Sequence, residues 1–214
     1  AKEALALLEK AIENKKNTAD EMVYFYAQQS LIYGTLDSLL LSKSSLDNSE
    51  KFAQQASTNE AKAMAYRAEA ALNRQLGLPD EVVTSALKGL RLLEKSEKDP
   101  QNQYALNYLL YGVYSRWNED EKMNFYIPQC EHYARKAKNN NSLVNVYNGL
   151  SSMFQARYEK QPQRSLLDSS FHYLQKSFGR YQQARSDISP NSFVITCINL
   201  ANFYFEFSKA SLHE

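Results

Sequence analysis

The stretch "CEHYARKA", residues 130–137, decides the fold because four other octets in the chain resemble it. A small residue opens each octet, and in most of them a large or aromatic residue and a second small residue follow at fixed offsets. Successive octets start about 40 residues apart, a length typical of helical-hairpin repeats. The octets are ALALLEKA from Ala4, SEKFAQQA from Ser49, ALKGLRLL from Ala86, CEHYARKA from Cys130 and SFHYLQKS from Ser170.

A second kind of helical segment, rich in Tyr and Leu, lies between the octets. Turn-forming sequences separate the two kinds, because Pro, Gly and Asn interrupt a helix and Asp or Ser can cap the next one. Examples are "GLPD" at 77–80, "KDPQ" at 98–101 and "ISPN" at 188–191. The sequence therefore predicts helix, turn, helix, repeated. The second kind of segment covers residues 20–36, 59–76, 101–117, 141–158 and 191–207.

Composition supports an all-α fold. The chain of 214 residues has 6 Gly and 5 Pro, too few for an all-β fold with frequent tight turns, and it is 43% hydrophobic, which is ample for a core. The segment 101–117 carries two apolar stripes. Leu106, Leu110, Val113 and Trp117 belong to one, and Tyr104, Tyr108 and Tyr111 form the other. Two stripes predict a helix packed on two sides, as in a stack of hairpins.

This alternation resembles the tetratricopeptide repeat. "INLANFYFEF" at 198–207 is similar to the first helix of that repeat, with Leu200, the small Ala201 and Tyr204, and the octets are similar to its second helix. The resemblance implies a right-handed superhelix, an α-solenoid, of about five degenerate helix-turn-helix hairpins in a single domain, 1–214. The sequence departs from the family in its longer repeats and in Pro128. We expect Pro128 to kink a helix or to mark its first turn.

A second resemblance concerns the openings of two octet helices, "LDNSEKF" at 46–52 and "LLDSSFHYL" at 166–174. They look like the sensory repeats of bacterial proteins in which such repeats are fused to a DNA-binding or histidine-kinase module. The resemblance implies that the chain is a segment of a longer protein that acts in signal transduction or transcription regulation. It leaves the compartment open between the cytoplasm and the periplasm.

The reactive side chains of "CEHYARKA" do not predict an enzyme. His132 lies about 200° around a helix from Cys130, so the two side chains cannot hold one ion. His172 occupies the same octet position as His132, and His213 lies near the end of the chain. Phosphate-binding, zinc-hydrolase and serine-hydrolase motifs are absent, and the glycines at 34, 112 and 149 are expected where helices cross. We predict no catalysis, no metal and no cofactor.

Charge and hydropathy restrict the partners. The formal charge is +1, with 25 basic and 24 acidic residues, so the chain lacks the field that attracts a phosphate backbone. Direct contact with nucleic acid is not expected, although the 15 Tyr and 10 Phe keep a helical-repeat RNA-binding protein as an alternative. No apolar stretch is long enough to insert in a membrane. The apolar last helix predicts either a continuing chain or self-association through that helix.

The remaining expectation is that a protein or peptide binds a concave groove lined by the first helix of each hairpin. Polar residues on these otherwise apolar helices are the candidates, since Asn can donate to and accept from a peptide backbone and Arg can bind a carboxylate with two hydrogen bonds. A general scaffold or co-chaperone-like adaptor is the alternative to a sensory module. The candidate groove residues are Asn107, Arg116, Asn145, Asn148, Arg157, Asn199 and Asn202.

Overall fold

The computed structural model describes residues 1–96 and 98–207. Within these residues the chain is helical and has no strand, which confirms the all-α prediction. The helices are α1 (Lys2–Ile12), α2 (Ala19–Thr35), α3 (Leu39–Ala53), α4 (Asn59–Gln75), α5 (Pro79–Leu93), α6 (Pro100–Arg116), α7 (Asp120–Lys136), α8 (Asn140–Lys160), α9 (Arg164–Gln183) and α10 (Pro190–Phe207), with a short 3-10 turn at Arg185–Asp187.

The helices pair as the alternation predicts, so the chain has a helical-hairpin repeat fold of the α-solenoid class. It divides into two compact units, Ala1–Tyr126 and Ile127–Glu214. In the first unit α2 packs on α3 and α4 on α5, and α2, α4 and α6 are neighbours. In the second unit α8 packs on α9, and α10 contacts both. Pro128 lies in the interior of α7, which belongs in part to each unit.

The first helix of each hairpin starts at a capping side chain. Thr18 forms a capping box with Glu21 at the start of α2, and the side chains of Thr58, Asp99 and Asn139 accept backbone N–H groups at the starts of α4, α6 and α8. Each cap satisfies a backbone donor that the first turn of a helix leaves unpaired. These local signals fix where each hairpin begins.

The turns after α2, α4 and α6 share one geometry. Asp37, Gly77 and Asn118 have φ angles of 53°, 72° and 55°. In each turn the N–H of this residue and that of the next donate to carbonyl groups in the last turn of the helix, the pattern called a Schellman motif. Asp, Gly and Asn are residues that adopt this left-handed conformation at low cost. The three hairpins therefore reverse direction in the same way.

The opening residues of the octets are buried as predicted, with one exception. Ser49, Ala86, Cys130 and Ser170 are fully buried, whereas Ala4 is exposed. Ser49 donates to the carbonyl of Val23 at 3.1 Å and Ser170 lies 2.8 Å from the hydroxyl of Ser151. A small residue is required here because the two helices of a hairpin approach closely. Among the described residues α1 contacts α2, the helix that follows it, and Ala4 stays exposed.

Helix α6 is packed on two sides, as its stripes predict. Leu106, Leu110, Val113, Tyr104 and Tyr111 are buried. Trp117 differs from the prediction, since its side chain is 39% exposed. The physical reason is its position as the C-cap of α6, where the chain leaves the helix for the turn.

The glycines expected at helix crossings differ from one another. A Cβ added at Gly34 would lie 2.6 Å from the side-chain amide of Gln75, so α2 and α4 do approach closely there. A Cβ added at Gly112 would meet nothing within 4 Å, so the expectation for Gly112 is wrong.

Candidate functional site

Asn107 lies inside the fold. Its side chain is 4% exposed and its amide donates to the backbone carbonyl of Gln103 at 2.7 Å. The amide is thus used within helix α6 and faces packed neighbours.

Three other candidate asparagines join α8 to α10. Asn148 is 5% exposed, and its amide donates to the hydroxyl of Thr196 at 2.9 Å. The carbonyl oxygen of Asn148 accepts from Asn199 at 3.4 Å, and Asn145 accepts from Ser192 at 2.9 Å. These amides connect α8 with α10, so their hydrogen bonds are made between two helices of the chain.

The remaining candidates lie closer to solvent. Arg157 is half-buried, with its guanidinium 5.8 Å from the ring centre of Phe154. Asn202 is exposed on α10. Arg116 is also exposed, and it lines a cleft with residues of two neighbouring helices.

That cleft has a volume of about 160 Å³ and lies where the turn between α4 and α5 meets the end of α6. Its lining combines two guanidinium groups with apolar side chains: Arg74, Gly77, Leu78, Pro79, Val82, Val113, Arg116 and Trp117. Sequence reasoning selected Arg116 and missed Arg74. The signal that could have found Arg74 is its place near the end of α4, which matches the place of Arg116 near the end of α6.

A larger groove, of about 490 Å³, lies between α3 and α5, and α4 supplies half of its lining. Carboxylates, an ammonium group and an amide alternate here with apolar surface. The lining residues are Glu50, Ala53, Gln54, Lys62, Ala65, Tyr66, Glu69 and Leu92. No sequence signal marked this groove, because Glu and Lys on helices usually lie on solvated faces.

The Glu50 carboxyl is the perturbed titratable group of the groove. Partial burial raises its pKa above the ordinary value, the nearby Glu69 and Asp47 carboxylates add to the increase, and Lys43 opposes it. In the part of the chain that the structure describes, neither Glu50 nor Glu69 forms a side-chain hydrogen bond or an ion pair within 4 Å. The groove therefore holds two carboxylates that form no ion pair, although Lys62 also belongs to its lining, and their mutual repulsion favours binding of a cation.

The cysteine that begins the octet CEHYARKA lies in the core. Cys130 is fully buried, and burial raises the pKa of its thiol far above the ordinary value. His132 is exposed on the same helix, with its ring 4.9 Å from that of Tyr133. Across residues 1–96 and 98–207, no group of three or more His, Cys, Asp or Glu side chains could hold a metal ion. His213 lies outside the described residues.

None of the described helices is both long enough and apolar enough to cross a membrane.

Comparisons with known proteins support the fold. No protein-family model matches the chain. No curated protein matches it either. Among solved structures, the crystal structure of BtubC (BKLC) from P. vanneervenii is similar, with a TM-score of 0.72 at 13% sequence identity, over 99% of this chain and 84% of that chain. At this identity the similarity shows a shared helical architecture and nothing about a shared activity.

Proposed function

We propose that this chain is a non-enzymatic module that binds a segment of another protein, and that its repeats are of the tetratricopeptide type. The alternation of a capped first helix with an octet-bearing second helix supports the assignment of repeat type. The two resemblances in the sequence also suggest the setting, which is the sensing or assembly part of a bacterial signalling or transcription-regulatory protein.

The observation that carries the binding proposal is the groove between α3 and α5. Its apolar lining, which includes the Tyr66 ring, suits the aliphatic stem of a partner side chain. The carboxylates of Glu50 and Glu69 would bind the charged end. A Lys or Arg side chain from a partner has this combination of stem and charge.

The groove is held rigidly, which favours association. Ala65 is 5% exposed and Leu93, next to the groove residue Leu92, is fully buried. Gly89 on α5 lies against Tyr66 and Leu106, so the helix that bounds the groove is closely packed. A preformed groove loses little conformational entropy when a ligand binds.

The test is a selection of random dodecapeptides displayed on phage against the whole chain, followed by fluorescence-polarisation titration of the enriched peptides. We expect enriched peptides to contain Lys or Arg. The double variant Glu50→Gln/Glu69→Gln should bind them at least about tenfold more weakly.

The matched control is Glu81→Gln/Glu94→Gln, which removes two exposed carboxylates outside the groove lining. This control should bind as the wild type does, and thermal unfolding of both variants checks that the fold is intact. Enriched peptides that bind the groove variant and the wild type equally well would reject the groove as the site.

A further inference from the structure

A second surface on the first unit has a different chemistry. The residues that cap the C-termini of α2, α4 and α6 are Leu36, Leu76 and Trp117, and they are 45%, 48% and 39% exposed. A single exposed apolar residue is ordinary on a protein surface. Here an exposed apolar residue recurs at the same position in the turns after α2, α4 and α6. In each turn the next residue has the left-handed conformation.

These turns are neighbours. The end of α2 lies against Gln75 near the end of α4, because a Cβ at Gly34 would lie within 3 Å of that side chain. The turn after α4 and the end of α6 line one cleft, the 160 Å³ cleft described above. The three exposed apolar residues thus lie along one edge of the unit.

The cleft has an apolar base and an open aromatic side. Val82 and Val113, 1% and 3% exposed, form its base, and Leu78 and Trp117 remain about two-fifths exposed. The Trp117 ring packs edge-on against Tyr114 with ring centres 5.6 Å apart, which fixes one side of the indole. A partly exposed, positioned Trp beside an apolar base is typical of a residue that dominates a binding interface.

Two positive charges complete the cleft. Arg74 and Arg116 belong to its lining and no acidic residue does. Among residues 1–96 and 98–207, neither guanidinium forms an ion pair or a side-chain hydrogen bond. A carboxylate between them would accept charge-assisted hydrogen bonds and offset the repulsion of two like charges.

We propose that this cleft binds an internal segment of a partner protein that presents an Asp or Glu side chain next to a large apolar side chain. The carboxylate binds Arg74 and Arg116, and the apolar side chain lies over Val82 and Val113 against Trp117. The volume suits the apolar side chain, while the carboxylate binds at the two arginines, which are exposed. It is below the roughly 300–1,000 Å³ of sites that enclose a cofactor or drug-sized ligand. Apolar lining and a formal charge of +1 for the chain favour protein over nucleic acid.

This inference is independent of the groove between α3 and α5, which shares no lining residue with the cleft and selects the opposite charge. Either surface can fail its test without affecting the other.

The test uses random dodecapeptides displayed on phage, selected on the whole wild-type chain and depleted on the double variant Arg74→Glu/Arg116→Glu. We expect the retained peptides to carry Asp or Glu beside Leu, Ile, Phe or Trp. Synthetic versions should bind Arg116→Glu and Trp117→Ala at least about tenfold more weakly than the wild type, and a Glu-to-Gln change in the peptide should have a similar effect.

Two controls make the result specific. Arg91→Glu reverses an exposed charge on α5 outside the cleft, and Glu50→Gln/Glu69→Gln alters the groove. Both should leave the binding unchanged, and thermal unfolding checks each variant. Failure to retain any peptide, retained peptides without an acidic residue, or binding that survives Arg116→Glu overturns the proposal. Arginine-dependent binding of polyuridylate RNA that excludes the peptides overturns it in favour of nucleic acid.

Discussion

Asn148 on α8 donates a hydrogen bond to the hydroxyl of Thr196 on α10, with a nitrogen to oxygen distance of 2.9 Å. Thr196 is fully buried and also lies 2.8 Å from the hydroxyl of Ser177 on α9. One buried hydroxyl therefore connects all three helices. The outward face of α10 is apolar by contrast, with Val194, Ile198 and Phe205 exposed. These hydrogen bonds therefore act together with the packing of other aromatic rings of α10 on α8 and α9.

The first prediction concerns Asn148. Asn148→Ala should lower the free energy of unfolding by about 1–3 kcal/mol, because it leaves buried polar groups of α10 without a partner. Urea denaturation measures the loss, and hydrogen exchange should show faster exchange of α10 amides. Asn202→Ala, at an exposed position of α10, should change stability by no more than about 0.5 kcal/mol. Weaker peptide binding by Asn148→Ala at unchanged stability would instead return Asn148 to the role of a ligand-binding residue.

The second prediction compares two helical glycines. Gly89→Ala should destabilise the chain by about 1–3 kcal/mol, since its Cβ would lie 2.9 Å from the buried Leu106 side chain and 3.3 Å from Cβ of Tyr66. Gly112→Ala should be neutral or stabilise by up to about 1 kcal/mol, because a Cβ there meets nothing within 4 Å and Ala favours a helix. Thermal and urea unfolding measure both. Equal effects of the two substitutions would contradict the close approach of α5 to α4 and α6.

The third prediction concerns the pH dependence of Asp20. Its carboxylate accepts from the Ser57 N–H at 3.1 Å, the Ser57 hydroxyl at 2.8 Å and the Thr58 N–H at 2.9 Å, and also from the Thr58 hydroxyl. The hydrogen bond from the Thr58 side chain, followed by that from the Ser57 backbone, lowers the pKa of Asp20 far below the ordinary value of 3.8.

Because the pKa is lower in the folded state, the stabilisation is present above pH 3.8 and is lost as the pH falls below it. Urea midpoints measured between neutral pH and about pH 2.5 should fall more steeply for the wild type than for Asp20→Asn. Asp80→Asn, an exposed change in the first turn of α5, should retain the wild-type slope. Parallel curves for wild type and Asp20→Asn would show that the contact does not depend on the charge.

The fourth prediction concerns the two thiols. In single-cysteine variants at pH 8, Cys197, which is half-buried, should react with a maleimide at least about tenfold faster than Cys130. Cys130 is fully buried and its pKa is raised, so both access and thiolate formation are suppressed. Both should react at similar rates in denaturant. Rapid labelling of Cys130 in the folded chain would restore it as a candidate nucleophile.

Sequence patterns predicted the helical alternation well because its signals are local. Caps such as Thr18 and Asp99 act within one turn of a helix, and small octet residues such as Ser49 and Ser170 are required wherever two helices touch. The candidate site was harder to predict. Asn107 and Asn148 have the residue type of a ligand-binding group, yet whether an amide faces solvent or a neighbouring helix depends on contacts distant in sequence.

By itself the sequence determined that this chain alternates two kinds of helix and that the thiol of "CEHYARKA" is a small packing residue. Both follow from residue size and from hydrogen bonding within a few positions. Only the tertiary structure decided which polar side chains are buried between α8 and α10, and which arginines, Arg74 and Arg116, meet across a cleft. The reason is that exposure and proximity are properties of neighbouring helices, and residues some 40 positions apart become neighbours only when hairpins stack.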